Sequence, residues 1–228
     1  MDLELQEVAG LLNVPENVLL KWVSDGKVPS YNINGSYRFN RQEIETWVMT
    51  EKVSKDVGVD ELEGLKPSSG SLRYNLFRAL NNGDVFTDIE ADNKQSLIRQ
   101  TMQRLAPTLR LDADVLYELF MDRENLVSTA VGNGFAIPHA RDFLMTGHRD
   151  AVAVVFLNKP IAYGALDGQP VHTLFFLLAS DDKRHLALLS KIAHLASTPA
   201  LLKQLAKKPQ KAELLEVIKE WETQLLHT

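Results

Sequence analysis

Along the first fifty residues the apolar positions recur at helical intervals, and each run ends at a turn signal. Leu5, Val8, Leu11 and Leu12 fall on one face of a helix, and the break at Asn13-Val14-Pro15 leads to a second amphipathic run carrying Val18, Leu19, Trp22 and Val23. Asp25-Gly26 closes that run. Asn34-Gly35, set between Tyr31-Asn32-Ile33 and Tyr37-Arg38-Phe39, predicts a short hairpin, because this pair tolerates the left-handed backbone of tight hairpin turns. Ile44, Trp47 and Val48 then mark a third helix.

The pattern changes twice further along. Lys55 to Ser71, KDVGVDELEGLKPSSGS, is polar, holds three glycines and a proline, and sustains neither period, which predicts a linker. Beyond it, Ser71 is the expected cap of a helix through Leu80, Asn93 of one through about Leu105 and Asp112 of one through about Asp122, since small polar side chains accept from the unpaired amides of a first turn. Residues 151–157 are apolar throughout and partly β-branched, as is much of Val171 to Leu178, and both predict strands buried on two faces. Helical patterning returns from Asp182 to about Ser197, restarts at Thr198-Pro199 and ends in an amphipathic run near Ala212 to Leu226. Helices flanking apolar strands imply a layered α/β domain. The expected division is a small winged helix-turn-helix over 1–54, a linker over 55–70 and the α/β domain over 71–228.

Composition narrows the chemistry. The chain has 228 residues, 45% of them hydrophobic, enough for two modest cores. No apolar run reaches membrane-spanning length, and the opening MDLELQEVAG has no basic stretch leading into an apolar one, so the expectation is a cytoplasmic protein without membrane insertion. Zero cysteines remove disulfides, thiolate zinc sites and cysteine nucleophiles, which leaves histidine as the nucleophile to seek. The formal charge of −5 falls as −3 on residues 1–56, −2 on 57–70 and 0 on 71–228.

The informative segment is Asp122-Arg-Glu-Asn-Leu-Val-Ser-Thr-Ala-Val-Gly-Asn-Gly-Phe-Ala-Ile-Pro-His139-Ala-Arg141. An imidazole's unperturbed pKa is about 6.5, so a neutral, nucleophilic ring is available at cellular pH, and His139 is a candidate of that kind. Pro138 restricts the backbone ahead of it, and Gly132 and Gly134 permit a turn of close backbone approach. The segment resembles the signature of the fructose/mannitol type of IIA domain of the bacterial phosphotransferase system and of the related nitrogen-regulatory IIA proteins. In that signature an Arg-Glu pair precedes a Ser-Thr, a glycine-rich turn and an Ile-Pro-His. Tyr163-Gly-Ala-Leu-Asp-Gly-Gln-Pro-Val171 and Asp182-Lys-Arg-His185-Leu-Ala-Leu-Leu resemble it too, so the likeness covers roughly 71 to 228. It implies a layered mixed-sheet phosphoacceptor domain with His139 as acceptor, Arg123 on the phosphoryl oxygens and His185 hydrogen-bonding beside the phosphorylated ring. Arg141 and Ser128 lie near enough in the chain to join them. It further implies the phosphocarrier HPr as donor, itself charged from phosphoenolpyruvate through enzyme I, and a IIB subunit as acceptor if the protein serves sugar uptake. No cofactor is expected: Gly132-Asn-Gly134 lacks the third glycine of a dinucleotide fingerprint, and no P-loop occurs. His148, His172, His194 and His227 show no metal-ligand spacing and read as structural, so no metal is expected either.

The N-terminal segments Leu5-Gln-Glu-Val-Ala-Gly-Leu-Leu-Asn-Val-Pro, Val18-Leu-Leu-Lys-Trp22, Gly26-Lys-Val-Pro29 and Tyr37-Arg38-Phe39 leading into Glu43-Ile-Glu-Thr-Trp47 resemble the excisionase and MerR-type DNA-binding families. That likeness places the second helix in the major groove with Lys21 near its middle, and Lys27, Ser30, Tyr31 and Arg38 on phosphates or the minor groove. A charge of −3 leaves little reserve for phosphate contacts, which a homodimer joining two basic faces would offset. Trp22 and Trp47 read as core. The leading expectation is a phosphotransferase-linked regulator in which the state of His139 is coupled to DNA binding or transcriptional control by the N-terminal module. The alternative is a phosphocarrier of sugar uptake whose N-terminal module binds protein.

Overall fold

The apolar periods translate into structure almost segment by segment in the computed structural model, which describes residues 2–12, 14–53, 74–140, 145 and 149–225. Strand β1 (Asp2–Glu4) runs into α1 (Leu5–Leu12). Helix α2 (Glu16–Ser24) follows Pro15, and the hairpin β2 (Tyr31–Ile33) and β3 (Ser36–Asn40) leads into α3 (Arg41–Val53). Asn34 and Gly35 carry the positive φ angles, 53° and 84°, that a two-residue hairpin turn requires. Strand β1, which no alternation in the sequence announces, pairs antiparallel with β3 and completes a three-stranded wing in the order β1-β3-β2. Val8, Leu19, Trp22, Phe39 and Ile44 are buried beneath it. Trp47 is half-buried, its ring 5.9 Å from that of Trp22.

The linker expected over 55–70 and the Ser71 cap lie outside the described residues. The helix expected to follow that cap is α4 (Asn75–Asn82), and then come β4 (Val85–Phe86), α5 (Lys94–Leu109) and α6 (Ala113–Glu124). Asn93 and Asp112 cap α5 and α6 as their side chains predict, accepting from Ser96 N and from Asp114 N and Val115 N. The short strands β5 (Ala130–Gly132) and β6 (Phe135–Ala136) precede the long β7 (Ala151–Ile161) and β8 (Val171–Leu178). Helices α7 (Asp182–Ser197), α8 (Pro199–Leu205) and α9 (Lys211–Gln224) follow β8 among the described residues.

The five-stranded sheet runs β4-β7-β8-β6-β5. Pairs β4/β7 and β6/β8 are parallel, and β7/β8 and β5/β6 are antiparallel, so the sheet is mixed. Alternation along β7 divides the core in two. Val152, Val154 and Phe156, with Phe175 and Leu177 of β8, pack beneath α4, α7, α8 and α9. Ala151, Ala153, Val155 and Leu157, with Leu174, Phe176 and Leu178, pack against α5 and α6. Burial on both faces is what the unbroken apolar runs demanded. The N-terminal module adds to the first of these layers: α1 and α3 lie on α7, α3 also meets β5, and the buried residues form one continuous cluster. No helix among the described residues is long and apolar enough to cross a membrane.

Candidate active site

The site is built from a strained turn outward. Between β5 and β6 the chain passes through Gly132, Asn133 and Gly134, with φ of 89°, 54° and 77°. A Cβ on residue 134 would stand 2.4 Å from His172 Nε2 at a backbone angle that side chains avoid, so glycine is required there. Asp167 Oδ2 accepts from Asn133 N at 2.9 Å and fixes the turn. The chain then continues alongside β8, where Leu177 N donates to the Pro138 carbonyl at 2.8 Å and His139 bridges to Leu177.

That register presents the His139 ring beside the C-terminal end of β8, 1% exposed. Its Nδ1 lies 2.7 Å from the Ile137 carbonyl. A carbonyl oxygen only accepts, so Nδ1 carries the proton and Nε2 the lone pair. Arg123, in the last turn of α6, donates Nε–H to that lone pair at 3.0 Å and Nη1–H to the Val127 carbonyl at 2.9 Å. His185, in the first turn of α7, closes the next side with its ring edge-on to His139, centroids 5.0 Å apart. A first-turn histidine is ordinarily in water, but His185 is 2% exposed. Burial, followed by the neighbouring His139 ring and the Arg41 and Arg123 guanidiniums, pushes it down to about 3 against the pull of Glu45, so the ring is neutral at cellular pH.

The fourth wall comes from the other module. Glu45 of α3, 2% exposed, places Oε2 3.8 Å from His139 Nε2 and 4.0 Å from Arg123 Nε, and Oε1 3.8 Å from His185 Nε2. Arg41, one turn earlier, donates Nε–H to Glu45 Oε1 at 3.1 Å and pairs across the interface with Asp182 of α7. Burial alone would raise the Glu45 carboxyl, but His139, His185 and Arg41 outweigh it and hold the group at about 2. Glu45, His139 and His185 bring ligand-type atoms within 4.8 Å of one another. The arrangement nonetheless suits an anion better than a metal ion, because Arg123 already uses the His139 lone pair and sets a guanidinium in the same space.

Residues 78–221 match the family described as "Phosphoenolpyruvate-dependent sugar phosphotransferase system, EIIA 2". The chain belongs to that family. Residues 3–52 match a helix-turn-helix domain. The nitrogen regulatory protein of Klebsiella oxytoca is 34% identical over 148 residues, 64% of this chain and 90% of that protein. The one from Pseudomonas aeruginosa is 32% identical over 147 residues, 63% of this chain and 94% of that protein. The crystal structure of nitrogen regulatory protein IIA-Ntr from Neisseria meningitidis superposes with a TM-score of 0.57 at 27% identity, covering 63% of this chain and 98% of that one. The matches to the Klebsiella and Pseudomonas proteins fill nine-tenths or more of each, which leaves no room in either for a second module the size of residues 3–52.

Within the EIIA domain the structure brings Arg123, His139 and His185 together but leads Ser128 elsewhere. Its hydroxyl donates to the Tyr163 carbonyl at 3.0 Å and accepts from Ala130 N at 3.3 Å. Arg141, His148 and His227 lie outside the described residues. His172 packs edge-on to Phe135 and His194 edge-on to Trp221. The two halves of the Arg-Glu pair face different tasks: Arg123 meets the histidine, while Glu124 accepts from Thr129 Oγ1 at 2.6 Å and from Lys94 at 3.1 Å and so pins the strand entering the turn.

The side chains named for DNA take no part in this site. Lys21 is exposed on α2, which makes none of the principal contacts with the EIIA domain. Tyr31 is exposed and donates to Glu43 Oε1 at 2.5 Å, Arg38 pairs with Glu4, Lys27 lies 3.9 Å from Asp25, and Ser30 is half-buried ahead of β2. Glu45 is the residue that sequence reasoning missed. Its one signal is phase, since it shares the buried face of α3 with Ile44, Val48 and Met49, where an acid is out of place.

Proposed function

We propose that this protein accepts a phosphoryl group from the phosphocarrier HPr on His139 Nε2, in the cytoplasm, and that the phosphorylation state governs DNA binding by the N-terminal module. The observation that carries this reading is the preset His139 ring. Its Nδ1–H is tied to the Ile137 carbonyl and its Nε2 lone pair is aimed between Arg123 and His185. In the transfer the donor's N–P bond breaks and its electron pair returns to the donor nitrogen, while a new N–P bond forms at Nε2. Nδ1 keeps its proton throughout. Arg123 releases Nε2 and follows the phosphoryl oxygens, where its planar fork meets the spread charge of the transition state. His185, neutral and at the positive end of α7, donates to the same oxygens. Transfer onward to a IIB subunit would make the protein a sugar-uptake carrier. The helix-turn-helix match and the nitrogen regulatory relatives favour the regulatory reading.

Intact mass after incubation with phosphoenolpyruvate, enzyme I and HPr tests the acceptor. The wild type should gain one acid-labile phosphoryl group and His139→Ala none, whereas Arg123→Ala should still label, at a rate about a hundredfold lower, the usual cost of one transition-state donor. Full labelling of His139→Ala would refute the assignment. For the N-terminal module, binding to a specific duplex should weaken with salt and on Arg38→Ala.

A further inference from the structure

We propose that Glu45 is a built-in stand-in for the phosphoryl group, so that docking of the N-terminal module on the EIIA domain and phosphorylation of His139 exclude one another. This rests on the reading of His139 as the phosphoacceptor. A phosphorus poised for attack lies about 3–3.5 Å from its nucleophile. Glu45 Oε2 stands 3.8 Å from His139 Nε2, with Arg123 Nε 4.0 Å away and the other carboxylate oxygen 3.8 Å from His185 Nε2. The groups that would grip phosphoryl oxygens therefore already surround two oxygens and a negative charge, supplied by α3. The carboxylate fills the space that a phosphoryl group on Nε2 needs.

Access gives the same answer. His139 and Arg123 are each 1% exposed and His185 2%, so a donor protein reaches the ring only after α3 has lifted away. Once transferred, the phosphoryl group brings a charge of about −1.5 to −2 by analogy with other phosphorylated side chains. Returning the Glu45 carboxylate beside it would bury like charges together, with Arg123 left to serve both. The phosphorylated protein holds its N-terminal module released, and the unphosphorylated protein holds it docked. Arg41 is the strap of the docked form, touching Glu45 on its own helix and Asp182 on α7. Lys21 and the wing strand β2 remain exposed in that form, so docking fixes where the DNA-facing surface points and leaves it uncovered.

The test is the initial rate of phosphorylation of the full chain by phosphoenolpyruvate, enzyme I and HPr, read by intact mass, for wild type, Glu45→Gln and Glu45→Arg. The rate scales with the open fraction, and we expect an increase of about tenfold or more for Glu45→Gln and a larger one for Glu45→Arg, whose cation faces Arg123. Equal, measurable rates in all three would overturn the stand-in and leave the acceptor reading intact. Absence of label in all three, Glu45→Arg included, would overturn the acceptor reading and the stand-in with it. Amide hydrogen exchange over residues 41–50 supplies a second readout. It should rise when wild type is phosphorylated, and unchanged protection in the phosphorylated protein would overturn the proposal whatever the rates.

Discussion

Glu124 and Glu45 are buried alike, 3% and 2% exposed, and both sit on helices that wall the same site, yet they are held in opposite ways. Glu124 accepts short hydrogen bonds from Thr129 Oγ1 at 2.6 Å and Lys94 at 3.1 Å, all within the EIIA domain. Among the described residues Glu45 meets the EIIA side chains only at 3.8 to 4.0 Å, beyond hydrogen-bond range, and its one close partner is Arg41 on its own helix. Short directional bonds make a carboxylate part of the fold. A carboxylate held across an interface by charge alone can be exchanged for another anion.

The largest expected effect separates the two on stability. Glu124→Ala removes a fully partnered buried carboxylate and strands Lys94 and Thr129, which should cost about 3 kcal/mol in urea unfolding. Glu45→Ala should cost about half as much, about 1.4 kcal/mol for a tenfold larger open fraction, because the module can swing away and water can solvate the Arg123 and His185 it leaves behind. Equal losses would mean that Glu45 is as structural as Glu124 and would erase the distinction.

This contrast also explains what the sequence reveals and what it hides. Arg123, His139 and His185 each stand in a short segment that carries the backbone placing them: a helix end, a Gly-Asn-Gly turn with Ile-Pro, and a helix start after β8. The long strands β7 and β8 and nearly all the helices show through their periods in the same way. Strands β1, β4, β5 and β6 have two or three residues each, too few to show a period, and their partners alone define them. Glu45 is hidden for a stronger reason. Its partners lie in another module far along the chain, and relatives filled by the EIIA domain have no position for it.

Acid should sharpen the comparison on a smaller scale. In the docked form His185 is held near 3, below its ordinary 6.5, facing Glu45 and Arg41 from α3 and His139 and Arg123 from its own domain. Glu45 is held near 2, below its ordinary 4.5. A released Glu45 loses the EIIA groups that hold it down and binds more protons than a docked one between 4.5 and 2, so docking stability rises with pH through that range. The Glu45 contribution is complete above pH 4.5 and lost as pH falls through 2, whereas His139 and Arg123 stay beside His185 in either form. The radius of gyration from solution scattering should therefore grow between about pH 5 and about pH 3 while the EIIA core stays folded. A radius that shrinks or stays fixed over that range would show that Glu45 does not sense the interface.

The smallest expected effect concerns Arg41, which is half-buried between the two anions it touches, Glu45 and Asp182. Partly exposed ion pairs contribute about 0.2–1 kcal/mol, so Arg41→Ala should open the docked form by roughly two- to fivefold and raise the phosphorylation rate by that factor. Asp182→Asn should do the same. The double variant should add little beyond either, since one guanidinium serves both contacts. The size relative to Glu45→Gln is what decides. If Arg41→Ala matches Glu45→Gln, the carboxylate acts as an anchor for Arg41 and its nearness to His139 is incidental. If Arg41→Ala stays several-fold smaller, the charge that matters lies between His139, His185 and Arg123, where a phosphoryl group would sit.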